Sequence, residues 1–273
     1  MPKTTPKIVK QELENAKGEK LSFNMVEVEG GIFTMGLNGQ YDKEKPAHEV
    51  ELDSFFAAEY PVIQELYEFV TGNNPSRFLG NQRPVEQVDW YDAVEFCNSI
   101  SNISGLDPYY IINKEIKGIN NLSEIDEKKW SIEIDKKSKG YRLPTESEWE
   151  YAARGGIYWK KGYEYVGSNT LKEVGWYNEN SHAETLPVGI KQENQLGLYD
   201  MGGNVYEWCW DWYEEEYYKS SEKKNPLGVK KGRGHVVRGS SWDVDYDYCR
   251  VAFRNWSYPD LRYSILGFRI FRG

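Results

Sequence analysis

Between residues 157 and 273 the chain shows little long regular pattern, yet it places tryptophan, arginine, glycine and aspartate at close intervals. Such a segment cannot satisfy its backbone N–H and C=O groups through long ladders alone, so side chains must meet many of them. The segment "SSWDVDYDYCRVAFRNWSYPDLRYSILGFR" at 240–269 concentrates this property. Trp242, Cys249, Arg250, Ala252, Arg254, Gly267, Phe268 and Arg269 read as framework, with Trp242, Ala252 and Phe268 as buried anchors. The Asp, Tyr, Ser and Val between them follow neither a strand nor a helix period. Arg238, Arg250, Arg254 and Arg269 are too many cations for a core unless each is paired. A guanidinium fork can bridge several carbonyls and carboxylates, so these four are expected as internal staples for loop backbone.

The chain has 273 residues, enough for one large domain or two small ones, and 39% hydrophobic with 28% charged residues mark it as globular. A formal net charge of −9 with no basic stripe excludes nucleic acid as an expected partner. No apolar run reaches membrane-span length, so direct membrane insertion by this domain is not expected. The opening MPKTTPKIVKQELENAKGEK is polar and lacks a signal-peptide core. Cys97, Cys209 and Cys249 are an odd number, widely separated, without metal-ligand spacing, and are read as buried small hydrophobes.

Residues 1–22 read as a polar tail with one loose helix, followed by a single domain at 23–273. "MVEVEGGIFTMG" alternates as a strand with a turn or bulge at Gly30-Gly31, and "HEVELDSFFAAEYPV" continues with strand character. "IQELYEFVTG" has Leu66, Phe69 and Val70 on one helical face and Gly72 as a stop. In "DWYDAVEFCNSISNISG" Asp89 is the expected N-cap, with Ala93, Val94, Phe96, Cys97 and Ile100 inward. Residues 105–140 read as a turn-rich excursion with strand-like runs at 108–112 and 129–134. "YRLPTESEWEYAARGG" is the clearest helix, since Thr145 and Glu148 have capping-box spacing and Gly155 ends it.

"GGIFTMG", "RPVEQVDWYDAVEFCN", "YRLPTESEWEYAARGG", "GLYDMGGNVYEWCWDWY", "VVRGSSW", "CRVAFRN" and "LGFRI" occur in this order. The series resembles the formylglycine-generating-enzyme (sulfatase-modifying factor) family over residues 25–270. The resemblance implies an α+β, C-type-lectin-like fold with two main helices, small twisted antiparallel sheets and much irregular loop. Oxidase members of that family use two cysteines near the C-terminus to bind copper. Past "GSSW" Cys249 stands alone, so no copper is expected and Cys249 is read as structural; an oxidase using Cys249 is the alternative. The sulfoxide synthases of this fold hold iron through histidine clusters in an added domain. His48, His182 and His235 are dispersed and receive no metal or base role.

Asp243, Val244, Asp245, Tyr246, Asp247 and Tyr248 precede Cys249, and Ser257, Tyr258, Asp260, Leu261, Tyr263 and Ser264 precede Gly267. These strings lack Lys, Glu, Gln, Met and Trp. They resemble the variable region of a diversity-generating retroelement protein, most nearly that of a spirochaete. Adenine-directed mutation of Asn-type codons in such systems cannot reach those five residue types. The resemblance implies that Asp243, Asp245, Tyr246, Asp247, Tyr248, Ser257, Tyr258, Asp260, Leu261, Tyr263 and Ser264 bind ligand from one exposed face. Tyr, Ser and Asp on a scaffold-held loop suit recognition better than a core; the plainer reading is a solvated loop with a few packed tyrosines.

The family also resembles "YDMGGNVYEWCWDWY" at a calcium site. Carried onto this chain, Asp200 and Glu207 would give side-chain oxygens, and Gly203 and Val205 backbone carbonyls, to a structural Ca²⁺. The same groups could instead serve the turn. The expected function is therefore non-catalytic binding of a variable protein or cell-surface ligand. It would act at the cell surface or in secreted form, anchored through a leader. An inert structural module is the third possibility.

Overall fold

The computed structural model describes residues 7–273. Along the chain, β1 (Ile8–Glu14), β2 (Lys20–Val28), β3 (Gly31–Met35), β4 (His48–Leu52) and β5 (Phe55–Ala58) precede α1 (Gln64–Thr71) and α2 (Trp90–Ile103). A hairpin of β6 (Tyr110–Lys117) and β7 (Trp130–Ile134) leads to α3 (Glu146–Ala153), the short α4 (Leu171–Val174), β8 (Gly175–Trp176) and β9 (Gly202–Gly203). The C-terminal part holds β10 (Tyr206–Trp212), β11 (His235–Arg238), β12 (Asn255–Ser257), β13 (Leu266–Gly267) and β14 (Phe271–Arg272).

One four-stranded sheet has the order β1-β2-β5-β14 and the other β12-β11-β10-β13. The expected α+β architecture with two main helices is present. Its pairings are mostly antiparallel, but β10 with β13 and β8 with β9 run parallel, which corrects the all-antiparallel expectation. Both parallel pairings involve two-residue strands brought in by loops rather than by hairpins.

The loose helix expected in the tail is also corrected; residues 1–6 lie outside the described residues. Residues 8–14 pair with β2 from Ile8↔Val26 to Glu14↔Lys20. Of the inward set Val9, Gln11 and Leu13, only Leu13 is fully buried. Lys10, Glu12 and Glu14 occupy the outer positions after Ile8, as edge strands commonly require, and that polarity hides the two-residue period.

The helices begin where their caps direct. Asp89 Oδ1 accepts from Asp92 N–H at 2.9 Å while Asp92 Oδ2 accepts from Asp89 N–H at 3.0 Å. Thr145 Oγ1 accepts from Glu148 N–H at 3.2 Å and Glu148 Oε2 accepts from Thr145 N–H at 2.9 Å. Each box meets orphan donors of the first turn. Gly72, at φ +81°, closes α1 in the left-handed region that disfavours a side chain.

The strands lie between two apolar clusters. Met25 of β2, Trp208 of β10 and Val237 of β11 face the cluster built on α2, with Phe96 and Phe268. Their neighbours Val26, Cys209 and Val236 face the cluster on α3, with Trp149 and Phe271. Alternation along each strand thus serves two cores at once. The excursion at 105–140 is tied onto α2 by Tyr91, whose hydroxyl donates to Asp126 Oδ2 at 2.6 Å, and by Asn121, which bonds both.

Candidate ligand-binding surface

The frame around residues 240–269 is held by buried arginines. Arg238 pairs with Glu150 and donates to the carbonyls of Val251, Ala252 and Phe253. Arg254 holds both oxygens of Glu146, at 2.6 and 2.9 Å, and reaches the carbonyls of Lys43 and Glu215. Arg269 grips Glu207 and the carbonyls of Ala58, Glu59 and Tyr199. Arg250 pairs with Glu44 and donates to the Asp247 carbonyl. These are the staples expected from the sequence. Burial raises the Glu150 carboxyl, but Arg154, Arg238 and the Gly36 N–H outweigh that and leave it below its ordinary value.

Ala252 and Phe268 are core residues, as expected. Trp242 is half-buried instead; its indole N–H donates to the Ser264 carbonyl at 2.9 Å and its ring meets Phe78 edge-on. That single residue joins the stretch before Cys249 to the stretch before Gly267.

Between the staples the side chains leave the core. Tyr246, Tyr248 and Tyr263 are 52%, 44% and 47% exposed. Asp243, Asp245 and Asp247 are exposed too, and Ser257, Tyr258, Asp260, Leu261 and Ser264 are partly exposed. None of the eleven is buried. Their backbone is anchored at several points: Asn178 N–H donates to the Val244 carbonyl at 3.1 Å, Trp90 N–H to Pro259 at 2.9 Å and Gln87 N–H to Tyr263 at 3.0 Å. Two partners escaped sequence reasoning, because they lie far along the chain. Asn178 donates its amide to Asp245, and Glu127 N–H donates to Asp260 Oδ2 at 3.2 Å. Arg262, inside the second stretch, pairs with Asp89 and Asp92 at the start of α2.

Cys249 is buried, with its thiol 3.2 Å from the Ser240 hydroxyl. Burial pushes that thiol up to about 11, with the Ser240 hydroxyl offsetting part of the shift. Cys97 and Cys209 are buried in the two separate cores, as expected. Of the three dispersed histidines, His235 is a core residue. It lies 1% exposed between the rings of Trp90 and Trp212, each at 3.8 Å.

The four residues expected to hold calcium do not fit that ion. Glu207 gives Oε1 to Arg269 at 2.8 Å and Oε2 to the Trp149 indole at 2.7 Å, so its carboxylate is already neutralised by a cation and a donor. Asp200 Oδ2 accepts from Gly189 N–H at 2.7 Å. Gly203 and Val205 then contribute at most neutral carbonyls, and a hard dication lacks a free carboxylate pair. Among the described residues, no group of three His, Cys, Asp or Glu side chains is placed to hold a metal.

An irregular α+β scaffold with small sheets, two capped helices and a loop-borne C-terminal surface defines a C-type-lectin-like domain. Within that class the chain belongs to the sulfatase-modifying factor enzyme 1-like domain family, whose model matches residues 10–273. It is similar to the solved structure of Treponema denticola variable protein 1, with 36% identity and a TM-score of 0.84 over 97% of this chain and 99% of that one. It is 40% identical to the chaperone protein LppX of Paenibacillus barcinonensis over 83% of each chain. It is also 40% identical to the formylglycine-generating enzyme of Streptomyces coelicolor, over 48% of this chain and 46% of that one.

Proposed function

We propose that this chain is a non-catalytic binding protein. It presents Asp243, Asp245, Tyr246, Asp247, Tyr248, Ser257, Tyr258, Asp260, Leu261, Tyr263 and Ser264 as a diversifiable surface toward a protein or another cell-surface ligand. The observation that carries this reading is the contrast within one segment: all eleven side chains lie outside the core, while Val251–Arg254 and Leu266–Ile270 between and beside them are buried. Rigid amphipathic tyrosines on an anchored loop supply contact area at small entropic cost, and Ser and Asp supply adaptable hydrogen bonds. The likeness to a variable protein supports the same reading. A binder of changing specificity acts where targets vary, so we place it at the cell surface or in secreted form. Among the described residues, no helix is long and apolar enough to cross a membrane.

The test is a display library in which the eleven positions are randomised and all other residues kept. Most members should fold with the parent's melting profile, and selection should yield binders to unrelated protein targets. A library that largely fails to fold would sink the proposal. The gene's surroundings supply a second check, through a reverse transcriptase and a near-identical repeat differing at adenines. An oxidase using Cys249 would instead show copper uptake and conversion of a cysteine peptide, both lost in Cys249→Ala.

A further inference from the structure

The tip of the excursion, residues 118–129, inverts the usual placement of side chains. Its polar Asn121, Ser123 and Asp126 are buried, while Ile119, Leu122 and Ile125 stand 91%, 45% and 51% exposed. The polar groups hold the backbone. Asn121 Oδ1 accepts from Ser123 N–H at 2.9 Å, Ser123 Oγ from Asp126 N–H at 3.0 Å, and Asp126 Oδ1 from Lys128 N–H at 2.9 Å. Asn121 and Asp126 also close on the Tyr91 hydroxyl. A single apolar side chain on a surface needs no explanation, but three within a short segment, held outward by a buried polar scaffold, do.

Two contacts set this tip beside the second diversified stretch. Glu127 N–H donates to Asp260 Oδ2 at 3.2 Å, and the Ile125 Cα lies within about 8 Å of the Glu127 Cα along the chain. Leu122 N–H donates to the Gly232 carbonyl at 2.8 Å and Gly232 N–H to the Asn120 carbonyl at 3.1 Å. Two residues on, Gly234 sits so close to the Trp256 ring and the Ser257 carbonyl that a Cβ there would collide with both. Ser257 and Asp260 both belong to the eleven positions, so the tip borders that stretch at two points.

Charge and position decide what covers the three aliphatic groups. A phospholipid surface is disfavoured, because the chain carries a net charge of −9 and Glu124 and Glu127 flank Ile125. Of the eleven diversified residues only Leu261 is aliphatic; the rest are Asp, Tyr and Ser. A protein interface needs apolar area as well as polar contacts, and the tip supplies it next door. We propose that Ile119, Leu122 and Ile125 form a constant apolar rim of the binding surface, on which the protein held by the diversified residues lays apolar side chains of its own. This rests on the binding function proposed above. The eleven positions set which protein is held, and the rim adds affinity common to all of them.

The experiment takes members of the library randomised at the eleven positions, selected on lysozyme and on ubiquitin, and adds Ile119→Ser, Leu122→Ser and Ile125→Ser together to each. Kd should rise roughly tenfold or more in both groups, the scale of burying partly exposed aliphatic groups. The melting profile should not move, because Asn121, Ser123 and Asp126 keep the loop's hydrogen bonds. Ile125→Arg alone should weaken the same members, and it serves where the triple variant unfolds. Binders whose Kd is unchanged in both variants overturn the rim and leave the binding surface standing; a folded library without binders removes surface and rim together. The parent should sediment as a monomer and should not float with phosphatidylcholine–phosphatidylserine vesicles. Self-association or vesicle binding that the triple variant abolishes overturns the proposal.

Discussion

Arg269 shows how single residues set stability in this fold. Its guanidinium neutralises Glu207, and both are fully buried. Replacing it with Met leaves a buried carboxylate whose remaining donor is the Trp149 indole. Arg269→Met should therefore lower unfolding free energy by about 3–5 kcal/mol, read by urea denaturation. Asp200 acts in the opposite direction. Burial pushes its carboxyl from 3.8 up to about 6, with the Gly189 N–H, Arg269 and Asn204 offsetting only part of that cost. A raised folded-state value means the native state holds the proton more tightly. Stability from this group is thus full below about pH 4 and falls as pH rises toward 6. Asp200→Asn removes the penalty and suits the residue's φ of +55°. It should raise stability at pH 7 by about 1–3 kcal/mol and match the parent near pH 4, measured as melting temperature against pH. A bound calcium ion would reverse that sign, and a chelator would then lower the melting temperature of the parent.

Elements were legible in proportion to how locally they are specified. α3 announces itself by a capping box within four residues, α2 by its N-cap Asp89 and apolar face, and α1 by its apolar face and Gly72; that Asp92 completes a box for α2 is seen only in the structure. Thr145→Ala should cost about 1 kcal/mol by denaturant titration, the usual worth of an N-cap. Glu148→Ala should cost more, because Glu148 also holds Arg142 through two bonds of 2.6 and 2.7 Å. β1 carries no clear strand signal, because Lys10, Glu12 and Glu14 on its outer face favour helix as readily as an edge strand. The excursion's two strand-like runs became β6 and β7, but their attachment to α2 through Asn121 and Asp126 rests on partners some 30 residues away that no local pattern marks.

At the scale of the whole molecule, stability and recognition are assigned to different atoms of one segment. Changing Tyr246, Tyr248 and Tyr263 together to Asn should shift unfolding free energy by about 1 kcal/mol or less, since each is half-exposed. Trp242→Ala should cost about 2 kcal/mol or more, because Trp242 ties the two stretches together through Ser264. Denaturation of the two variants side by side checks the contrast. The sequence alone determined the capped helices and the arginine staples, which rest on residue type and short spacing that local sterics and hydrogen bonding read directly. The class of fold and the eleven positions came through the resemblance of the motif series to known families, not through local pattern. The tertiary structure decided which carboxylate each arginine takes, and so removed Glu207 from a metal site. It also decided that His235 is buried between two indoles. Those outcomes depend on groups far apart in the chain meeting in a low-dielectric interior, where the partner, not the residue itself, sets charge and function.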